Sequence, residues 1–253
     1  MPTKHAPLPE DLPQRLRAAG LKVVALDGWR SRGRPASTGG FNPRGILIHH
    51  TGSKQDGMAY ARWLFLKGRA DLPAPLCQIS IGRDGTVFVG AAGRANHAGR
   101  AKAFGSMPAG DGNALYVGIE VHNTGTEGYP AAQYRSMVQT AAVLREILGA
   151  ELTEISGHFQ TSVTGKIDPG NPKNRGGVYW RGYWVLDMNR FRQDVKIARI
   201  KAPAGPAPTV PAPKRDRLQE ARVLLREAEQ VARRRGWRVR AGRIAAARRM
   251  LPK

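Results

Sequence analysis

Gly45-Ile46-Leu47-Ile48-His49-His50-Thr51-Gly52 sets three consecutive aliphatic residues in front of two imidazoles and a turn. A short apolar run closed by turn residues reads as a buried strand, and its polar end then falls at the edge of a sheet. Successive side chains of a strand point to opposite faces, so only one of His49 and His50 can address any given centre.

Outward from this strand the chain alternates between the two periodicities. Asp56 to Lys67 carries Met58, Ala61, Trp63 and Leu64 to Leu66 at roughly helical spacing, which predicts a helix. Gln78–Gly82 and Thr86–Gly90 flank Arg83-Asp84-Gly85, an apolar alternation broken by Asp-Gly that predicts a hairpin. The segment from Asn113 reads as a central strand ending near His122. Ala131 to Leu148 places Tyr134, Met137, Val138, Ala141, Leu144, Ile147 and Leu148 on one stripe, the strongest helix in the chain. Leu152 to Ile155 is expected as a short strand leading to Gly157-His158, and Asp187 to Ile197 as a closing helix built on Met188, Phe191 and Val195. Strands interleaved with helices predict an α/β domain with a single mixed sheet flanked by helices.

This domain is expected over residues 41–200. Residues 1–40 hold a strand candidate, Leu21 to Trp29, and read as an N-terminal extension laid against it. Residues 201–214 are rich in proline and alanine and form a linker. Residues 215–253 read as a small basic module of two short helices; from Lys201 to the end there are 15 basic against 4 acidic residues. A module too small for a large core docks on something, and its charge suits an anionic cell-wall polymer or a membrane surface.

The whole chain of 253 residues carries a formal charge of +22, attractive to any polyanion. Nucleic acid is not the expected partner, because paired zinc-finger ligands and heptads following a basic region are missing. A single cysteine, Cys77, precludes an internal disulfide. The first residues lack a signal-peptide pattern and no apolar stretch is long enough to span a bilayer, so the expectation is synthesis in a host cytoplasm and action on the wall after release.

Five of the six histidines fall within the domain: His49, His50, His97, His122 and His158. A catalytic zinc site takes about three neutral imidazole or carboxylate ligands and leaves one position for water. His49 can supply one ligand, and His158 and Asp168 bracket a loop that can supply two more. On this reading alone His50 and His122 remain competitors.

The pieces GILIHHTG, GRDGTVFVG, NHAGR, YVGIEVHN and GHFQTSVTGKIDPG, in this order and approximate spacing, resemble the zinc-dependent N-acetylmuramoyl-L-alanine amidases. That family includes bacteriophage lysins, a bacterial muropeptide amidase and the peptidoglycan recognition proteins. The resemblance runs from about Gly45 to Pro172. It implies that fold, peptidoglycan as partner, Zn²⁺ as cofactor, a monomer, and hydrolysis of the bond between N-acetylmuramic acid and L-alanine. It selects His49, His158 and Asp168 as metal ligands, with aspartate where many relatives have cysteine. Glu120 matches the glutamate that handles proton transfer, and Lys166 the basic group of the site. His97 matches a histidine of the substrate cleft.

Two departures stand out. Cys77-Gln78 occupies the place of a pair whose second residue is often histidine, so Cys77 is expected to be buried and not nucleophilic. Asn96 replaces the tryptophan usual before His-Ala-Gly, and is expected at the substrate along with Tyr179, Trp180 or Tyr183 of the aromatic segment Asn171 to Leu186. The implied setting is a phage endolysin. The alternatives are a peptidoglycan-binding protein without catalysis and a cytoplasmic muropeptide-recycling amidase.

Overall fold

A computed structural model describes residues 7–198. The linker and basic module expected beyond residue 200 lie outside the described residues. Helix α1 (Leu12–Ala18) precedes strand β1 (Val23–Ala25), and β2 (Gly45–His50) follows a turn of 3₁₀ helix. The predicted helix after β2 is α2 (Gly57–Arg62), which runs on into one π-helical turn over Trp63–Lys67. The hairpin is β3 (Ile79–Ile81) and β4 (Val87–Val89). Its turn is fixed by Gly85 at φ 82° and by Asp84, whose carboxylate accepts from Thr86 N and Oγ1.

Next come the two-residue pair β5 (Arg100–Ala101) and β6 (Gly110–Asp111), the single turn α3 (Gly112–Leu115), and β7 (Tyr116–Val121). Helix α4 covers Ala131–Leu148, the span read from its apolar stripe, and ends on Gly149 in the left-handed region. Strand β8 (Ile155–Gly157), the short α5 (His158–Thr161), the hairpin β9 (Val178–Trp180) with β10 (Tyr183–Val185), and α6 (Met188–Ile197) complete the order. Asp187 caps α6 by accepting from Asn189 N and Arg190 N.

Six strands form one mixed sheet in the order β1-β4-β3-β7-β2-β8, antiparallel only between β3 and β4. Alternation divides its residues cleanly. Ile46 and Ile48, Ile79 and Ile81, Val117, Ile119 and Val121 face one side, where they pack with Met137, Ala141 and Leu144 of α4, Phe191 and Val195 of α6, and Leu12 and Leu16 of α1. The other side carries Leu47, His49, Ser80, Gly118 and Glu120. There, Tyr60, Ala61, Leu64 and Phe65 form a smaller cluster with Leu76, Cys77 and Phe88.

Three sequence expectations change. The segment before Gly40 does more than lie against the domain: β1 is an edge strand of its sheet, and α1 buries Leu12 and Leu16 completely. Extended pairing in the span Leu21 to Trp29 is limited to Val23–Ala25, after which a turn begins as Trp29 N donates to Leu26 O. Leu152–Glu154 is a 3₁₀ turn and the strand starts only at Ile155, because the Glu154 carboxylate folds back to accept from Glu151 N. Cys77 is fully buried as expected, and burial pushes its thiol well above the ordinary value. No helix among the described residues is long and apolar enough to cross a membrane.

Candidate metal centre and catalytic cleft

His49, next to last in β2, lies on the face opposite the three helices and is 1% exposed. The parallel pairing of β2 with β8 sets Ile48 beside Gly157, so the chain leaves β8 with His158, the first residue of α5, next to His49. Asp168 returns to the same point through a loop held at several places. Phe159 N donates to Asp168 O (2.8 Å), and the Ser162 hydroxyl accepts from Thr164 N and Lys166 N.

The three side chains converge on one point. His49 Nδ1 lies 3.1 Å from His158 Nδ1 and 2.9 Å from Asp168 Oδ2, and His158 Nδ1 is 3.1 Å from both carboxylate oxygens. Donors bonded to one zinc ion at about 2.0–2.1 Å stand roughly 3.3 Å apart at the corners of a tetrahedral face. Two imidazole nitrogens and a carboxylate packed this closely repel unless a proton or a cation sits among them, so the donor set fits a divalent metal. Among the described residues these form a His/Asp group able to hold an ion.

Protonation agrees with ligation. Burial, helped by the neighbouring His158, lowers His49 to about 4, so its imidazole is neutral at physiological pH. Burial opposes ionisation of Asp168, but its close contacts with the His158 and His49 imidazoles outweigh it and hold the carboxyl well below the usual range.

The competing histidines do not join these ligand atoms. His50 points to the other face of β2, where its Nδ1 accepts from Gly170 N at 2.7 Å. His122 Nδ1 bonds Asp56 Oδ1 at 2.8 Å, with its ring against Tyr60 and Phe88. Residues 39–171, more than half of the chain, match the sequence profile of the N-acetylmuramoyl-L-alanine amidases. The chain belongs to that family. It is therefore an enzyme that hydrolyses the amide between N-acetylmuramic acid and L-alanine of peptidoglycan.

Solved structures of similar fold include a selenomethionine derivative of AmpD (22% identity, 69% of this chain and 93% of that one, TM-score 0.47). Another is the endolysin amidase LysCS from Clostridium intestinale URNW (20% identity, 59% and 88%, TM-score 0.42). PlyL is a third (12% identity, 71% and 99%, TM-score 0.49). No curated protein sequence matches this chain.

In the amidase the His49, His158 and Asp168 cluster lies in a cleft of about 490 Å³. Glu120 lines it from β7, directly beside His49 in the strand register. Its Oε2 is buried without a hydrogen-bond partner among the described residues. Burial and the negative charge of Asp168 push this carboxyl well above its ordinary value, against a smaller opposing pull from Lys166. Lys166 itself is exposed at the cleft rim, two residues before Asp168.

Asn96 lines the cleft as well, but its Nδ2 is tied to Pro73 O at 2.7 Å, which holds the loop Leu72–Pro75 against it. His97 borders the cleft with both ring nitrogens engaged, Nδ1 at 3.1 Å from His49 Nε2 and Nε2 at 3.3 Å from Tyr116 O. It therefore has no free polar atom for substrate. Of the β9–β10 hairpin, Tyr183 reaches the cleft, whereas Tyr179 and Trp180 do not line it. Trp180 packs edge-on against Phe159, and Tyr179, 66% exposed, sits on the opposite face of the hairpin against Trp184.

Sequence reasoning missed several wall residues: Tyr60 and Trp63, stacked at 5.6 Å, together with Arg69 and Leu72. Apolar positions of a helix read as core, and only the π turn that follows α2 hints that this helix is bent to serve a site. Also missed was Gln78, which was noted only for not being histidine. Its Nε2 donates to Gly93 O and its Oε1 accepts from Gly118 N, so it is a fully satisfied buried brace.

Proposed function

We propose that the amidase uses zinc, held by His49, His158 and Asp168, with Glu120 and Lys166 as its catalytic side chains. The reading is carried by the three ligand atoms standing 2.9–3.1 Å apart at a cleft into which a buried, unpartnered carboxyl also opens. Zinc bound there supplies Lewis acidity to a water molecule and to the scissile carbonyl.

The rest of the chemistry falls to the chain. Glu120, with its raised affinity for protons, takes a proton from the attacking water at Oε2 and gives it to the departing L-alanine nitrogen. Lys166, exposed at the rim, brings positive charge to the oxyanion of the tetrahedral intermediate. Trp63 and Tyr183 offer ring faces to the sugar and lactyl-peptide surface.

The setting we favour is an endolysin acting on the intact wall. Residues 41–200 would be the catalytic domain, 201–214 a spacer, and 215–253 a module that binds anionic wall polymer or membrane. The excess of basic residues after Lys201 supports this reading over a recycling enzyme, whose small soluble fragments need no such anchor.

The test is mass analysis of digested peptidoglycan. New L-alanine amino termini should appear, vanish with chelator and return with zinc; activity that persists in rigorously metal-free protein refutes the zinc reading. Running the assay on intact sacculi and on soluble fragments separates the settings, since cleavage of fragments alone would favour recycling.

A further inference from the structure

His97 borders the cleft, yet both of its ring nitrogens are committed within the protein. The main-chain carbonyl of Tyr116 can only accept a hydrogen bond, so the nitrogen facing it, His97 Nε2, must carry hydrogen. A neutral imidazole has one N–H, which makes His97 Nδ1 an acceptor. Doubly protonated, the ring would be a cation buried beside a metal ion, an unfavourable placement. The atom 3.1 Å from His97 Nδ1 is His49 Nε2, which must then be the donor of that pair. This leaves His49 Nδ1, the atom facing His158 and Asp168, with its lone pair free.

We infer that His97 is a positioning residue: it fixes His49 in the Nε2–H tautomer, through a relay ending on the Tyr116 carbonyl, and so presents Nδ1 as a ready ligand. The inference rests on the metal reading above. Ligating histidines generally donate their second nitrogen to an acceptor that sets tautomer and ring orientation, and loss of such a partner costs about 10–100-fold in metal affinity or activity. Here the acceptor is a second imidazole.

The seat of His97 is built for the purpose. A Cβ on Gly118 would fall 2.6 Å from the His97 ring, so β7 admits the ring by lacking a side chain at that position. The Asn113 side-chain oxygen accepts from both His97 N and Ala98 N at 2.8 Å, which fixes the backbone that carries the ring.

The experiment compares wild type with His97→Leu, which fills the volume without an acceptor, and His97→Asn, whose Oδ1 replaces Nδ1 as acceptor. Zinc affinity measured by chelator competition should fall about 10–100-fold in His97→Leu and recover most of that loss in His97→Asn. In metal-free wild type, long-range ¹⁵N–¹H spectra should show His49 protonated on Nε2. Equal zinc affinity in wild type and His97→Leu, or His49 protonated on Nδ1, overturns the relay while leaving the metal reading intact. Wild type that binds no zinc at all overturns both. The spectrum of wild type decides the tautomer even if neither variant folds.

Discussion

Glu120 and His49 are direct partners in the parallel pairing of β7 with β2, on the face of the sheet that α1, α4 and α6 leave free. Side chains opposite each other in a sheet stand about 5 Å apart at Cβ. A carboxyl so placed is close enough to serve the chemistry of a metal bound at His49 without being one of its ligands. Its buried, partnerless oxygen is costly to the fold, and that cost is accepted at a position where a proton must be held.

Glu120→Gln should therefore lower kcat/KM by roughly 10² to 10⁴-fold, the usual contribution of a general acid–base group. Zinc content per chain should remain that of wild type, and the melting temperature should not fall, since the amide replaces a carboxyl whose burial favours its neutral form. Activity within threefold of wild type would remove Glu120 from the mechanism.

His50 predicts a different pattern. It lies back to back with a ligand and accepts from Gly170 N, so it ties down the turn that delivers Asp168. His50→Ala leaves that amide without its partner, at a cost of about 1–3 kcal/mol, and slackens the Asp168 loop. Zinc affinity should weaken, yet less than in His49→Ala, where a ligand is lost outright. Chelator competition on the two variants checks the order, and equal losses would show that His50 is itself a ligand.

Much of this was legible from the residues, for reasons the structure makes plain. Strands β3 and β7 alternate apolar residues against polar or small ones, β2 and β4 are short apolar runs closed by turn residues, and α4 carries a stripe along its whole length, so local pattern located them. Residue types alone offered His49, His158 and Asp168 as a set with His50 and His122 as competitors, and the resemblance selected among them. Spacing along the chain does not reveal that β8 lies beside β2, which is what brings positions 49 and 158 together. The role of His97 was hidden for a related reason: its partner is 48 residues away and its acceptor is a main-chain oxygen. Helix α1 was missed, since only the strand candidate Leu21 to Trp29 was read in residues 1–40; its Pro13 sits in the first turn, where proline is well accepted.

Arg192 of α6 tests how His158 is held. It is buried, with Nε donating to Ile155 O and Nη2 to Gln160 Oε1, both at 2.8 Å, and that same Gln160 oxygen accepts from Gly157 N. The guanidinium thus braces the strand and turn that aim His158. Arg192→Met should cost roughly 2–3 kcal/mol, lowering the melting temperature by something like 4–12 °C for a domain of this size. Weaker zinc binding should accompany it. A variant as stable as wild type would mean that β8 and α5 hold their geometry unaided.

Acid should destabilise the metal-free protein, and the sign follows from His122. Burial lowers its pKa below the unfolded value of about 6.5, against a hydrogen bond to Asp56 that pulls the other way. Between the two values the unfolded chain binds more protons than the folded one, so stability rises with pH across that window and is complete above it. Burial lowers His49, to about 4, His50 and His97 in the same direction, so these contributions add. Asp56 adds a separate loss at lower pH. Burial opposes its ionisation, but hydrogen bonds from His122, Arg83 N and Gly57 N hold it below the ordinary carboxylate value, so its share disappears only as pH falls below about 4. Urea midpoints of metal-free protein should accordingly fall between pH 7 and pH 5. His122→Gln should be less stable throughout but show a shallower fall, because one of the four imidazoles with lowered values no longer titrates. A slope unchanged by the substitution would show that His122 keeps its ordinary pKa in the folded protein.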